Sequence, residues 1–211
     1  SAYLFYNENG LIEKVKVQLN KSIKGDVEIK GLSAGFIKTF PILSVRLKGV
    51  SVKDSLFNQH KHEFIKAESI FIRISLSSLL TGKIKPGKII FDNASFYLYK
   101  DSTGYSNLVR ADDPQTEPGD RHVPDLLFRN TRFIMENVSR NKLHDIFFER
   151  MDCEIEEKDS TNLLHINMKS VVHELTFNSE KGSYLKEKKL DGKFTASLRD
   201  GVLTFPNIKL N

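Results

Sequence analysis

Residues 38–54, KTFPILSVRLKGVSVKD, alternate apolar and polar side chains almost without a break: Leu43, Val45 and Leu47 share one parity, Ser44, Arg46 and Lys48 the other. Successive side chains of a strand point to opposite faces, so this stretch reads as a half-buried β-strand with one water-avoiding side. Gly49 reads as a bulge, because Val50 and Val52 change parity after it. The fold then turns on what that apolar side covers, and on what covers it in return.

Outward from this strand the text is mostly more of the same. Val27 and Ile29 begin an earlier strand, Ile70, Ile72 and Ile74 mark a later one, and residues 88–100 form a long one with Phe96 and Leu98 on one face and Tyr97 and Tyr99 on the other. Further strands are predicted at 127–138, 144–157, 163–178, 184–199 and 202–210, with NSEKGS and RDG as turns between the last three. Short connections favour antiparallel neighbours. The best helix is residues 7–23, where Asn7 caps the start, Leu11, Val15, Leu19 and Ile23 recur every four residues, and Gly25 supplies the stop. A short helical turn is expected at residues 75–82. Phe91-x-Asn93-x-x-Phe96 recurs as Phe128-x-Asn130-x-x-Phe133, either as two strands built alike or as coincidence in a chain rich in both residue types.

One expected domain spans residues 1–211. Residues 109–125 carry three prolines and five acidic residues, too polar to bury themselves, and read as a mobile loop within one sheet. The net charge of +5 comes from interspersed signs rather than a basic tail, and no zinc-finger, recognition-helix or RNA-binding motif accompanies it, so nucleic acid is not an expected partner. No run of about 18–20 apolar residues is present to cross a bilayer. The abrupt, aromatic-rich opening SAYLFY and the strand-like close FPNIKLN both look trimmed, as though the chain follows a targeting or anchoring segment.

Few residues point to chemistry. The histidine pair of HKHE, His60 and His62, has no third ligand and reads as a polar hairpin tip rather than a metal site. Cys153 sits between Asp152 and Glu154, neighbours that raise a thiol pKa, so it is a poor nucleophile. No nucleophile elbow, phosphate-cradling loop or zinc-protease signature occurs. A non-enzyme without metal or cofactor is expected.

About nine strands spaced roughly 4.8 Å apart make a sheet near 40 Å wide, whereas a 17-residue helix is only about 26 Å long and 10 Å across. The helix covers one region of the apolar face. The rest folds over as a sandwich, packs on sequence absent from this chain, or curls into a trough for an apolar ligand. The residues chosen for such a lining are Leu43, Val45, Leu47, Ile70, Ile72, Ile74, Phe96, Leu98, Phe133 and Met135.

The order of features resembles the amino-terminal region of the AsmA family of bacterial envelope proteins. The matching elements are Gly25 with Val27 and Ile29; Phe40-Pro41 before the quoted strand; Ala67 to Ile74 followed by Leu79, Leu80 and Gly82; and Asp101, Gly104 and Asn107 after the long strand. Residues 10–108 carry the likeness best, with a thinner echo in LDGKFTASLRDGVLTFPNIKLN. The resemblance implies an inner-membrane anchor upstream and a periplasmic body. It also implies kinship with bridge-like lipid transfer proteins, whose helix and curved antiparallel sheet form a taco-like groove. The expected fold class is therefore α+β, an N-terminal amphipathic helix on a highly curved, mainly antiparallel sheet. The expected role is phospholipid transport or outer-membrane homeostasis, with phospholipid or another acyl-chain lipid, the membrane and envelope proteins as partners. The alternative is an interaction module assisting outer-membrane protein assembly.

Overall fold

The structure, a computed structural model, describes residues 25–36, 42–75, 86–109, 123–158, 161–199 and 202–207. Strands hold 77% of them and no helix reaches seven residues, which corrects the α+β expectation: the described fold is all-β. The amphipathic helix expected at 7–23 and the helical turn expected at 75–82 lie outside the described residues, except for Ser75, which ends a strand.

Among the described residues nine strands form one sheet in sequence order. They are β1 (Asp26–Phe36), β2 (Ile42–Lys53), β3 (Ile65–Ser75), β4 (Pro86–Lys100), β5 (Asp125–Asn137), β6 (Lys142–Lys158), β7 (Thr161–Thr176), β8 (Leu185–Arg199) and β9 (Val202–Asn207). One turn of helix, α1 (Phe57–His60), sits between β2 and β3. Every neighbouring pair is antiparallel except β4 and β5, which run parallel. The parallel pair is also the one joined by the longest connection, residues 101–124; within it residues 110–122, most of the loop expected at 109–125, lie outside the described residues.

A line of irregularity crosses the first six strands. Ile29, Val50, Ala67, Ala94, Thr131 and Phe148 stand side by side in one cross-strand row, and Leu32, Leu47, Ile70, Phe91, Phe128 and Met151 in the next. On each strand the two rows are three residues apart, a spacing that puts side chains on opposite faces of a straight strand. Here both rows belong to the apolar side; seven of these residues share one buried core cluster. The change of parity falls between them, at Lys30, Gly49, Glu68, Asn93, Asn130 and Glu149, the positions that the pairing skips. Gly49, Asn93 and Asn130 adopt φ of +59°, +49° and +47°, the left-handed region that glycine and asparagine enter most readily. At Gly49 a side chain is excluded twice, since a Cβ would lie 2.7 Å from the Lys30 side chain.

Gly49 is thus not the isolated bulge expected from the sequence. Register continues unbroken on either side of it, because all six strands change parity at the same level. The line ends at β6, where the pairing with β7 shifts between Phe148 and Arg150 and leaves Glu149 as an extra residue. β7 then alternates without interruption through Ile166, Met168, Ser170 and Val172.

The crease bends the sheet toward its apolar side. Phe91 and Phe96 are five residues apart, about 16 Å along a straight strand and on opposite faces, yet their rings meet edge to face at 5.1 Å. Phe128 and Phe133 repeat this on β5 at 5.2 Å. Because β4 and β5 are parallel and in register, the two copies of Phe-x-Asn-x-x-Phe lie alongside each other, with Phe91 stacked on Phe128 at 5.2 Å and Phe96 on Phe133 at 4.6 Å. Offset-stacked and edge-to-face rings each add about 0.5–1.5 kcal/mol beyond their burial.

Candidate functional site

The concave apolar face is the first candidate. Leu43, Val45 and Leu47 stand in register with Ile74, Ile72 and Ile70, and Phe96 and Leu98 with Phe133 and Met135. Ile70 pairs with Phe91, whose ring touches Phe96. Leu43 apart, whose backbone pairs with Ile74, the residues chosen from the sequence therefore belong to one continuous side of one sheet. Their exposure is graded. Leu47, Ile70 and Ile74 are buried, Val45, Ile72, Phe96, Leu98 and Phe133 half-buried, and Met135 is 47% exposed.

Among the described residues no second sheet lies against this face, and the substantial contacts between strands all join neighbours in the sheet. The face continues where the sequence reading did not follow it. Leu98, Met135, His144, Leu175 and Leu185 form a single row across β4 to β8. The signal missed was parity: β6 and β7 contain register shifts near Ile146, and alternation counted from either end fails there. His144 is the polar member of this row. Burial, and then the charge of Lys142, push its imidazole below the ordinary value, and its Nε2 is buried without a hydrogen-bond partner.

The opposite face carries a cluster of polar rings at the end of the sheet where β4 stops. The β2–β3 connection and residues 101–109 meet there. His62 stacks on Tyr97 at 4.2 Å, and His60 on Tyr99 at 5.3 Å. The Tyr97 hydroxyl donates to Glu136 at 2.6 Å, and burial followed by that carboxylate pushes the phenol strongly upward. Tyr105 donates to Asp54, which also lies 3.1 Å from His60 Nε2. Burial alone would raise the Asp54 carboxyl, but hydrogen bonds from Tyr105, His60 and the Leu56 N–H together outweigh it and hold the group below its ordinary value.

This constellation has the residue types of an acid–base site, but its polar atoms are turned inward. The His62 N–H donates to His60 Nδ1 at 3.0 Å, which leaves the ring proton on Nε2 facing Asp54. Both nitrogens of His60 are engaged within the connection. His60 ends α1 and His62 lies between α1 and β3, within a connection longer than the hairpin tip expected; among the described residues no group of three metal-ligating side chains gathers. Cys153 is buried, and burial followed by the Asp125 charge raises its thiol.

The motif Asp101-x-x-Gly104-x-x-Asn107 has a local physical role at each position. Asp101 Oδ1 accepts from the Thr103 N–H, the Thr103 hydroxyl and the Tyr105 N–H at 2.7–2.9 Å, and Gly104 supplies φ +95° for the turn. Asn107 is fully buried; it accepts from the Tyr99 N–H at 2.7 Å and donates to the Tyr97 carbonyl at 2.8 Å. It thereby pairs the end of β4 that β3, starting only at Ile65, is too short to reach.

Comparison with family models finds no match, and comparison with curated proteins finds none either. Among solved structures, an Ntf2-like protein involved in plasmid conjugation matches at 9% identity over 89% of this chain and 78% of that one, with a TM-score of 0.20.

Proposed function

We propose that this chain is a non-enzymatic, AsmA-like part of a membrane-anchored bacterial envelope protein whose body lies in the periplasm. It binds lipid acyl chains along its concave apolar face, in phospholipid transport or outer-membrane homeostasis. The observation that carries the reading is the bent single sheet: the apolar residues picked from four strands line one side, and that side is folded inward at a crease. An acyl chain laid along the crease crosses strand after strand and meets apolar side chains at each. Every methylene moved from water onto such a surface contributes about 0.8 kcal/mol, so about ten of them offset several kcal/mol of lost translational freedom. The headgroup stays outside, where lysines pair with phosphate.

The test is extraction of the purified chain with organic solvent, mass spectrometry of what is released, and titration with a fluorescent fatty-acid probe. Co-purifying phospholipid and saturable probe uptake are expected. A lipid-free chain that takes up no probe overturns the reading and leaves the alternative, a module that assists outer-membrane protein assembly through its loops.

A further inference from the structure

We propose that one end of the sheet, formed by the β5–β6 and β7–β8 tips, docks on an anionic lipid bilayer and presents the open end of the apolar face to it. Large apolar side chains left exposed among the described residues are not scattered: Met135, Val138, Phe177, Tyr184 and Leu108 all lie at the end where β4 and β5 finish, while Val202 and Phe205 lie on the short edge strand β9. Tyr184 is 68% exposed and Phe177 45%, although their rings are 5.3 Å apart and Phe177 rests 5.1 Å from His144. Soluble domains seldom group exposed aromatic side chains in this way without a partner.

Charge selects which partner. Residues 138–142 and 177–186 carry four cations, Arg140, Lys142, Lys181 and Lys186, against one acid, Glu180. Lys142 Nζ stands 5.9 Å over the Phe177 ring. Aromatic rings flanked by flexible cations suit the water–bilayer boundary, where rings enter the headgroup layer and ammonium groups meet lipid phosphates. The row Leu98, Met135, His144, Leu175 and Leu185 runs directly behind these tips. A chain leaving the bilayer there reaches the apolar face without crossing water.

The inference rests on the lipid-binding reading, and two measurements separate their failures. The whole chain is floated with vesicles of phosphatidylcholine alone and with one-quarter phosphatidylglycerol, and uptake of the fatty-acid probe is measured without vesicles. Binding to the anionic vesicles is expected, weakened about tenfold by Tyr184→Ser with Phe177→Ser and reduced by added salt. Tyr184→Ser alone, at a largely exposed position, keeps the test independent of folding, and Val202→Ser at the other end serves as the unaffected control. Vesicle binding absent in the unaltered chain, or equal in the tip variants, overturns docking. If probe uptake persists in that case, only docking falls. If uptake is absent while tip-dependent vesicle binding remains, docking stands and the groove reading falls.

Discussion

At the scale of single residues, the crease depends on side chains that tolerate a left-handed backbone. Asn130 sits at φ +47° between two apolar rows, and a β-branched residue there costs about 1–2 kcal/mol. Asn130→Val is expected to lower the unfolding free energy read from urea denaturation by that amount, and Asn130→Gly to change it by about a few tenths of a kcal/mol. Acid sensitivity is set at the same scale. Burial is the chief cause that holds His62 below its ordinary value of 6.5, against the opposing charge of Glu136, and His144 is held down likewise. Below pH 6.5 the unfolded chain therefore takes up protons that the folded one refuses, and stability falls with pH. Asp54 adds a second loss below its ordinary 3.8, because its folded value is depressed. Melting temperature is expected to decline from pH 7 to pH 5, and the decline to flatten in the double variant His62→Phe, His144→Phe.

At the scale of elements, the decisive pair is β4 and β5. Parallel pairing aligns like with like, so the repeated Phe-x-Asn-x-x-Phe becomes two ring stacks with a left-handed asparagine between them. An antiparallel pair that set Phe91 against Phe133 would place Asn93 opposite Thr131, so the two asparagines would not lie level. Phe133 touches Phe96, Phe128 and Phe148. Being half-buried, it is expected to lose about 2–4 kcal/mol on Phe133→Ala and markedly less on Phe133→Leu, as read from denaturant unfolding. The crease also accounts for Gly49, where strand parity changes while strand pairing does not.

At the scale of the whole molecule, one layer of strands bends so that its apolar residues face one another across the crease. Toward β5 the same face opens, and Met135 is nearly half exposed. Its replacement by a charge is expected to leave the unfolding free energy within about 0.5 kcal/mol of the original, as read from denaturant unfolding. On the lipid-binding reading, Met135→Glu reduces fatty-acid probe uptake about tenfold or more, since an acyl chain would bury the new carboxylate. Uptake unchanged by this substitution would remove Met135 from the path.

The strands were legible in the sequence to within a few residues, because a period of two is written into each stretch and needs no knowledge of its neighbours. The shared parity of the chosen residues within each of β2 to β5 was legible for the same reason, and the motif Asp101, Gly104 and Asn107 was visible as a pattern without its purpose. Three features were decided by tertiary structure. The parallel β4–β5 pair depends on a long connection whose path no local periodicity records. The continuation of the apolar row into His144, Leu175 and Leu185 depends on register shifts between strands. The crease depends on six parity changes falling at one level, and a parity change in one strand has meaning only when its partners make it too. Side-chain alternation is a property of a strand; the bend of a sheet is a property of the hydrogen-bonded whole.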